Sequence, residues 1–103
     1  MSWEYEFGEQ YKIPGEVISL WEKGKLEDIS WHNDIAPSFT VHGADHDADY
    51  VTRLWVEHPD PEMREWGSDA PRFGVTHGEV THYEGDSIKD ALLSLWTNSK
   101  VPT

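Results

Sequence analysis

Between Arg72 and Ser99 the spacing of apolar residues changes period once, and the change predicts a β-hairpin followed by a helix. Phe73 and Val75 alternate with Gly74 and Thr76, and Val80 and His82 alternate with Thr81 and Tyr83. A two-residue turn at His77-Gly78 sets Val75 opposite Val80 and Phe73 opposite His82, so one face of the hairpin is mostly apolar. Gly85 breaks the second strand, and Asp86 or Ser87 is placed to cap a helix, with Asp90 three residues after Ser87 as in a capping box. Ile88, Ala91, Leu92, Leu95 and Trp96 then fall at i, i+3, i+4, i+7 and i+8, while Lys89, Asp90, Ser94 and Asn98 take the other side. A lone hairpin is marginal in water, so it needs this helix and further strands to cover its apolar face.

Earlier in the chain the same two periods recur more weakly. Trp3, Tyr5 and Phe7 alternate with Glu4 and Glu6, the pattern of a half-buried strand or of an arm whose aromatics dock on the body. Pro14 opens a short helix in which Val17, Ile18, Leu20 and Trp21 form the apolar stripe and Gly24 suits the position just past the end. Residues 25–38 read as an irregular linker, 38–42 as a short strand and 43–49 as an acidic loop. Tyr50 to His58 is the best single strand, with Leu54 and Val56 on one face and Val51 and Trp55 on the other, which places it centrally in the sheet. Pro59 and Pro61 end it, and Glu62–Trp66 has room for one helical turn. Short connections between sequential strands favour an antiparallel meander. The expected fold is therefore one α+β domain over residues 1–103: three to five antiparallel strands with two helices packed on one face, a two-layer sandwich.

Composition narrows the function classes. Twenty acidic against eight basic residues give a formal charge of −12, which repels nucleic acid and anionic membranes and favours a basic protein partner. The same charge also serves plain solubility. Arg53, Arg64 and Arg72 are scattered among acids, where pairing with local carboxylates is expected, and no basic patch suits direct contact with nucleic acid. There is no cysteine, so disulfides and thiolate metal sites are unavailable. The first ten residues lack the pattern of a secretory signal and there is no long apolar run, so a soluble, cytoplasmic protein is expected.

Candidate chemistry is sparse. His42, Asp45, His46 and Asp47 combine imidazole and carboxylate, a donor set that suits Zn, Mn or Ni. Asp45, Asp47 and Asp49 match the first three ligand positions of an EF-hand loop, but Tyr50 stands where Gly is needed and Val56 where the bidentate Glu belongs. A solvated acidic loop explains the segment equally simply. His32 and Asp34 sit two apart in a loop, where Asn33 and Asp34 more often shape a turn. His77 and His82 lie near the hairpin turn, but by the pairing above they are not cross-strand neighbours. No nucleophile elbow and no phosphate-binding glycine loop occurs, and no cofactor is expected.

Six tryptophans are many for this length. Trp21, Trp55 and Trp96 fall on apolar stripes and are expected in the core. Trp3, Trp31 and Trp66 fall in polar segments and, with Asp34, Asp45, Asp47 and Asp49, are the candidate partner-binding residues. Three stretches, SWHNDIAPSF (30–39), RLWVEHPDP (53–61) and RFGVTHGEVTHYEGDSIKDAL (72–92), resemble small uncharacterised acidic proteins of actinobacterial phages and their hosts. That resemblance covers most of the chain and implies at most a phage accessory product, a class rich in binders that inhibit or redirect host proteins. The function expected is thus a non-enzymatic acidic protein that binds and modulates a basic or nucleic-acid-handling partner, DNA mimicry included. The alternatives are a metal-binding module or metal-dependent hydrolase built on the His42–Asp49 loop, and a structural subunit that self-associates through a sheet edge.

Overall fold

The computed structural model describes residues 11–30, 36–42, 52–64 and 67–99. Five strands form one antiparallel sheet in sequence order: β1 (Leu26–Asp28), β2 (Ser38–Val41), β3 (Thr52–Val56), β4 (Phe73–His77) and β5 (Val80–Gly85). Helix α1 (Gly15–Glu22) precedes the sheet and α2 (Ile88–Asn98) follows it. This is the α+β meander expected from the sequence, with β3 in the centre. No helix among the described residues is long and apolar enough to cross a membrane.

Register explains why both helices share a face. Phe39 pairs with Leu54, Leu54 with Val75, and Val56 with Phe73, so alternation puts these residues on the same side as Leu26 and Val41. All seven belong to a single buried cluster that also holds Val17 of α1 and Ala91 and Leu95 of α2. Helix α1 lies on β1, and α2 lies across β3, β4 and β5. The opposite face carries Arg53, Trp55, Gly74, Thr76, Thr81 and Glu84.

Local chemistry sets the boundaries. Helix α1 begins after Pro14, whose carbonyl accepts from the N–H groups of Val17 and Ile18, and ends before Gly24, which adopts a left-handed φ of 74°. Ser87 caps α2: its hydroxyl accepts from the Asp90 N–H at 3.2 Å. The neighbouring Asp86 instead accepts from the Arg72 N–H at 2.9 Å. Replacing Ser87 by Ala is expected to lower stability by about 1 kcal/mol, read as a shift in the urea midpoint at constant slope.

Three features depart from the expected pattern. The presumed linker contains β1, three residues paired with Val41, Thr40 and Phe39. The turn at residues 61–63 is a single 3-10 turn whose Asp60 cap accepts from the Glu62 N–H. The hairpin loop is Gly78-Glu79 rather than His77-Gly78, because the positive φ of Gly78 (61°) suits the first central position of a II′ turn. His77 therefore pairs with Val80 and Thr76 with Thr81. A register shift follows, after which Val75 faces Tyr83 and Phe73 faces Gly85 rather than His82. The shift leaves His82 as the extra residue of a β-bulge.

Two of the arginines turn their guanidinium groups to backbone carbonyls. Arg64 Nε donates to the His58 carbonyl at 2.7 Å and Nη1 to the Ala70 carbonyl at 2.6 Å, closing the loop between β3 and β4. Arg72 reaches the carbonyls of Tyr11 and Lys12. Arg53 lies over the Trp55 ring, 5.3 Å from its centroid.

Candidate functional site

Helix α2 carries more apolar surface than the sheet can cover. Successive residues are about 100° apart around an α-helix. Ala91 and Leu95 face the sheet and are fully buried, and Ile88 and Leu92 pack beside them. Trp96 is therefore rotated about 100° from Leu95, and Leu93 about 160° in the same sense. Trp96 is 37% exposed and Leu93 67% exposed. Trp21, about 40° around α1 from the buried Val17, is 36% exposed, and Trp55 is half-buried. Of the three tryptophans expected in the core, none is fully buried. A sheet-facing stripe needs only ≳ 100° of the helix, and bulky residues at its margin stay in solvent.

The surplus surface lines an open groove of about 460 Å³ between the two helices, formed by Leu20 of α1 with Lys89, Asp90, Leu92, Leu93 and Trp96 of α2. Its floor is partly buried leucine, and charge is confined to Lys89 and Asp90. Sequence reading missed this site because it assigned Trp96 to the core. The exposed Leu93, one position beyond the stripe, was the available signal.

A second, smaller depression of about 310 Å³ lies on the opposite sheet face, lined by Trp55, Ala70, Pro71, Gly74, Thr76, Thr81 and Glu84. The Trp55 indole N–H donates to the Thr76 hydroxyl at 2.9 Å and fixes the ring as its wall.

The histidines fall into two places. His42, just after β2, is exposed, and its Nδ1 is 2.9 Å from Glu27 Oε1 across the β1–β2 pair. Its expected companions Asp45, His46 and Asp47 lie outside the described residues, as do Asp49, Trp3, Trp31, Asp34 and Trp66. Among the described residues no three histidines or acids converge as a metal site would require. His77 and His82 do come together, with ring centroids 6.4 Å apart, because the bulge re-aims His82. The Thr52 hydroxyl donates to the Asn98 carbonyl at 3.2 Å and lies 2.7 Å from His77 Nδ1.

No family model matches the chain, and no curated protein or solved structure matches it.

Proposed function

We infer that this protein is a non-enzymatic, acidic interaction module that binds and modulates a protein partner, with a basic or nucleic-acid-handling protein as the best-suited class. The observation that carries this reading is the exposed Leu93–Trp96 flank of α2 in a chain of net charge −12. Trp is the residue type most enriched at binding hot spots, and burying a Leu side chain contributes roughly 1.5–3 kcal/mol. The acidic surface supplies steering and selects against acidic partners. Inhibition of a host protein by a phage accessory product is one setting in which such a module would act.

The test is capture of partners on the immobilised chain through a salt series, followed by affinity measurement with the purified partner. A single stoichiometric basic partner is expected, with affinity falling at least about tenfold as salt rises from about 0.05 to 0.5 M, because surface charges are screened. Displacement of that partner by duplex DNA would identify the acidic face as a DNA mimic. An affinity unchanged by salt, or no protein retained at low salt, overturns the reading.

A further inference from the structure

We propose that the depression over Gly74, on the sheet face away from the helices, is the docking site for a single arginine side chain of the protein partner. The inference rests on the interaction reading above and names the group by which the basic partner is gripped.

Register builds the depression. Trp55 of β3 pairs with Gly74 of β4, and Gly74 pairs with Glu84 of β5, so the three form one row across the face. Trp55 and Glu84 thus stand two strand spacings apart, about 10 Å, with no side chain between them. The next row on that face, Thr76 with Thr81, closes one end, and the chain leading into β4 supplies Pro71 at the other.

Neither the backbone nor a neighbour requires glycine at 74. Its φ lies outside the left-handed region, and a methyl group there would meet only the Tyr83 carbonyl oxygen at 3.8 Å, an ordinary contact. Glycine weakens a strand interior and often marks a place where another group approaches closely. What it does here is keep the floor between Trp55 and Glu84 open.

The lining selects the occupant. Glu84 is its sole ionisable group, and the Glu84 carboxylate has no ion-pair partner among the described residues. Of the charges flanking the depression, Arg53 is offset by the exposed Asp69, which adjoins the lining residue Ala70. A cation is therefore favoured by a charge within the site itself. The Trp55 wall is held in place by its N–H bond to the Thr76 hydroxyl, and Arg53, 5.3 Å from the ring centroid, shows that this indole accepts a guanidinium. A planar guanidinium can lie against an indole and pair through two N–H groups with a carboxylate at once. An ammonium is a strongly hydrated point charge that gains less beside Trp55 and Pro71. At about 310 Å³ the depression is at the small end of ligand pockets, a size for one side chain.

The test titrates the isotope-labelled full chain with capped pentapeptides carrying arginine, lysine or citrulline between glycines, and with free arginine, followed by amide and indole resonances. Saturable binding of the arginine peptide is expected, at least about fivefold tighter than the lysine or citrulline peptide, with the largest shifts at the Trp55 indole N–H and the Gly74 and Thr81 amides. Glu84→Gln is expected to weaken it at least about fivefold, while Glu22→Gln, exposed on α1, leaves it unchanged. Gly74→Val fills the floor with a residue that suits a strand, so it should abolish binding while holding or raising the urea midpoint. Equal affinity for the arginine and lysine peptides, binding unaffected by Glu84→Gln or Gly74→Val, or no saturable binding overturns the inference. Free arginine binding at least about tenfold tighter than the peptide reassigns the depression to a small molecule and also overturns it. Partner capture that survives both substitutions removes the depression from the account while leaving the interaction reading standing. Saturable binding of the arginine peptide beside a capture that retains no protein leaves the arginine site standing and removes that reading.

Discussion

Replacing Phe39 by Ala is expected to destabilise the protein by about 3–5 kcal/mol, the largest effect of any single substitution considered. Phe39 is fully buried in β2, paired with Asp28 of β1 on one side and Leu54 of β3 on the other. It belongs to the cluster through which both helices meet the sheet. Truncation removes the transfer free energy of the ring and leaves a cavity beneath two layers that cannot both collapse into it. Against a total stability of roughly 5–15 kcal/mol for a domain of this size, the variant should be partly unfolded at 37 °C. In urea the midpoint should fall steeply at nearly constant slope, while Val80→Ala on the exposed hairpin tip should change stability by less than about 0.5 kcal/mol. Comparable midpoints for the two variants would mean that the sheet–helix interface is not the cohesive core.

The elements that were legible in the sequence are those whose pattern is long relative to its period. Helix α2 shows two clear turns of apolar spacing and two adjacent candidate caps, Asp86 and Ser87, of which Ser87 takes the role. Strand β3, between an acidic loop and two prolines, is equally plain. Strand β1 is not: Leu26-Glu27-Asp28 is too short to show an alternation, and it exists because Phe39 to Val41 offers it a paired edge. The hairpin register failed at one residue for a physical reason. Both His77-Gly78 and Gly78-Glu79 place a glycine in the loop, and only the backbone twist of the flanking strands decides which position takes the positive φ. The bulge at His82 then erased the strict alternation on which facing pairs were assigned. Tyr83 illustrates the consequence. Its hydroxyl reaches the Ser87 backbone and lies where a Cβ on Gly85 would be, so the absence of a side chain at Gly85 belongs to the fold as well as to the strand's end.

The candidate site was harder to read, because helical periodicity reports which residues are apolar and not how far a neighbouring element extends. Trp96 fits the stripe of α2 as well as Leu92 does, yet α1 stands over β1 and leaves that flank uncovered. Whether an apolar residue at the margin is core or contact surface is decided by the spacing of elements distant in sequence. The same limit applies to His77 and His82, whose proximity depends on a single inserted residue.

The second large effect is expected at Arg72, whose guanidinium ties the segment before α1 to the strand ends. Its Nη2 donates to the Tyr11 carbonyl at 3.0 Å and the Lys12 carbonyl at 2.8 Å, its Nε lies 3.4 Å from the Glu57 carbonyl, and its head sits 5.1 Å from the centre of the Phe73 ring. Burial holds its pKa below the ordinary arginine value, and the nearby Arg64 adds to the depression. Lys12 itself has a φ of 45°, a left-handed conformation that a side-chain-bearing residue adopts at a cost of about 1–2 kcal/mol. Arg72 grips the carbonyl of that strained residue, so its fork opposes the relaxation of Lys12 to an ordinary backbone. Arg72→Ala should therefore cost about 2–3 kcal/mol globally, since hydrogen bonds from a charged donor are lost and the carbonyls of Tyr11 and Lys12 lose a partner. Arg72→Lys should recover less than half of this, because a single ammonium cannot reproduce the planar fork that spans carbonyls from two segments. Trypsin gives the local readout: cleavage after Lys12 should accelerate in Arg72→Ala beyond what the loss of global stability accounts for. Lys12→Gly in the wild-type background should be neutral or slightly stabilising by removing the strain. If Arg72→Lys matches the wild type in both midpoint and cleavage rate, charge at this position matters and the fork does not.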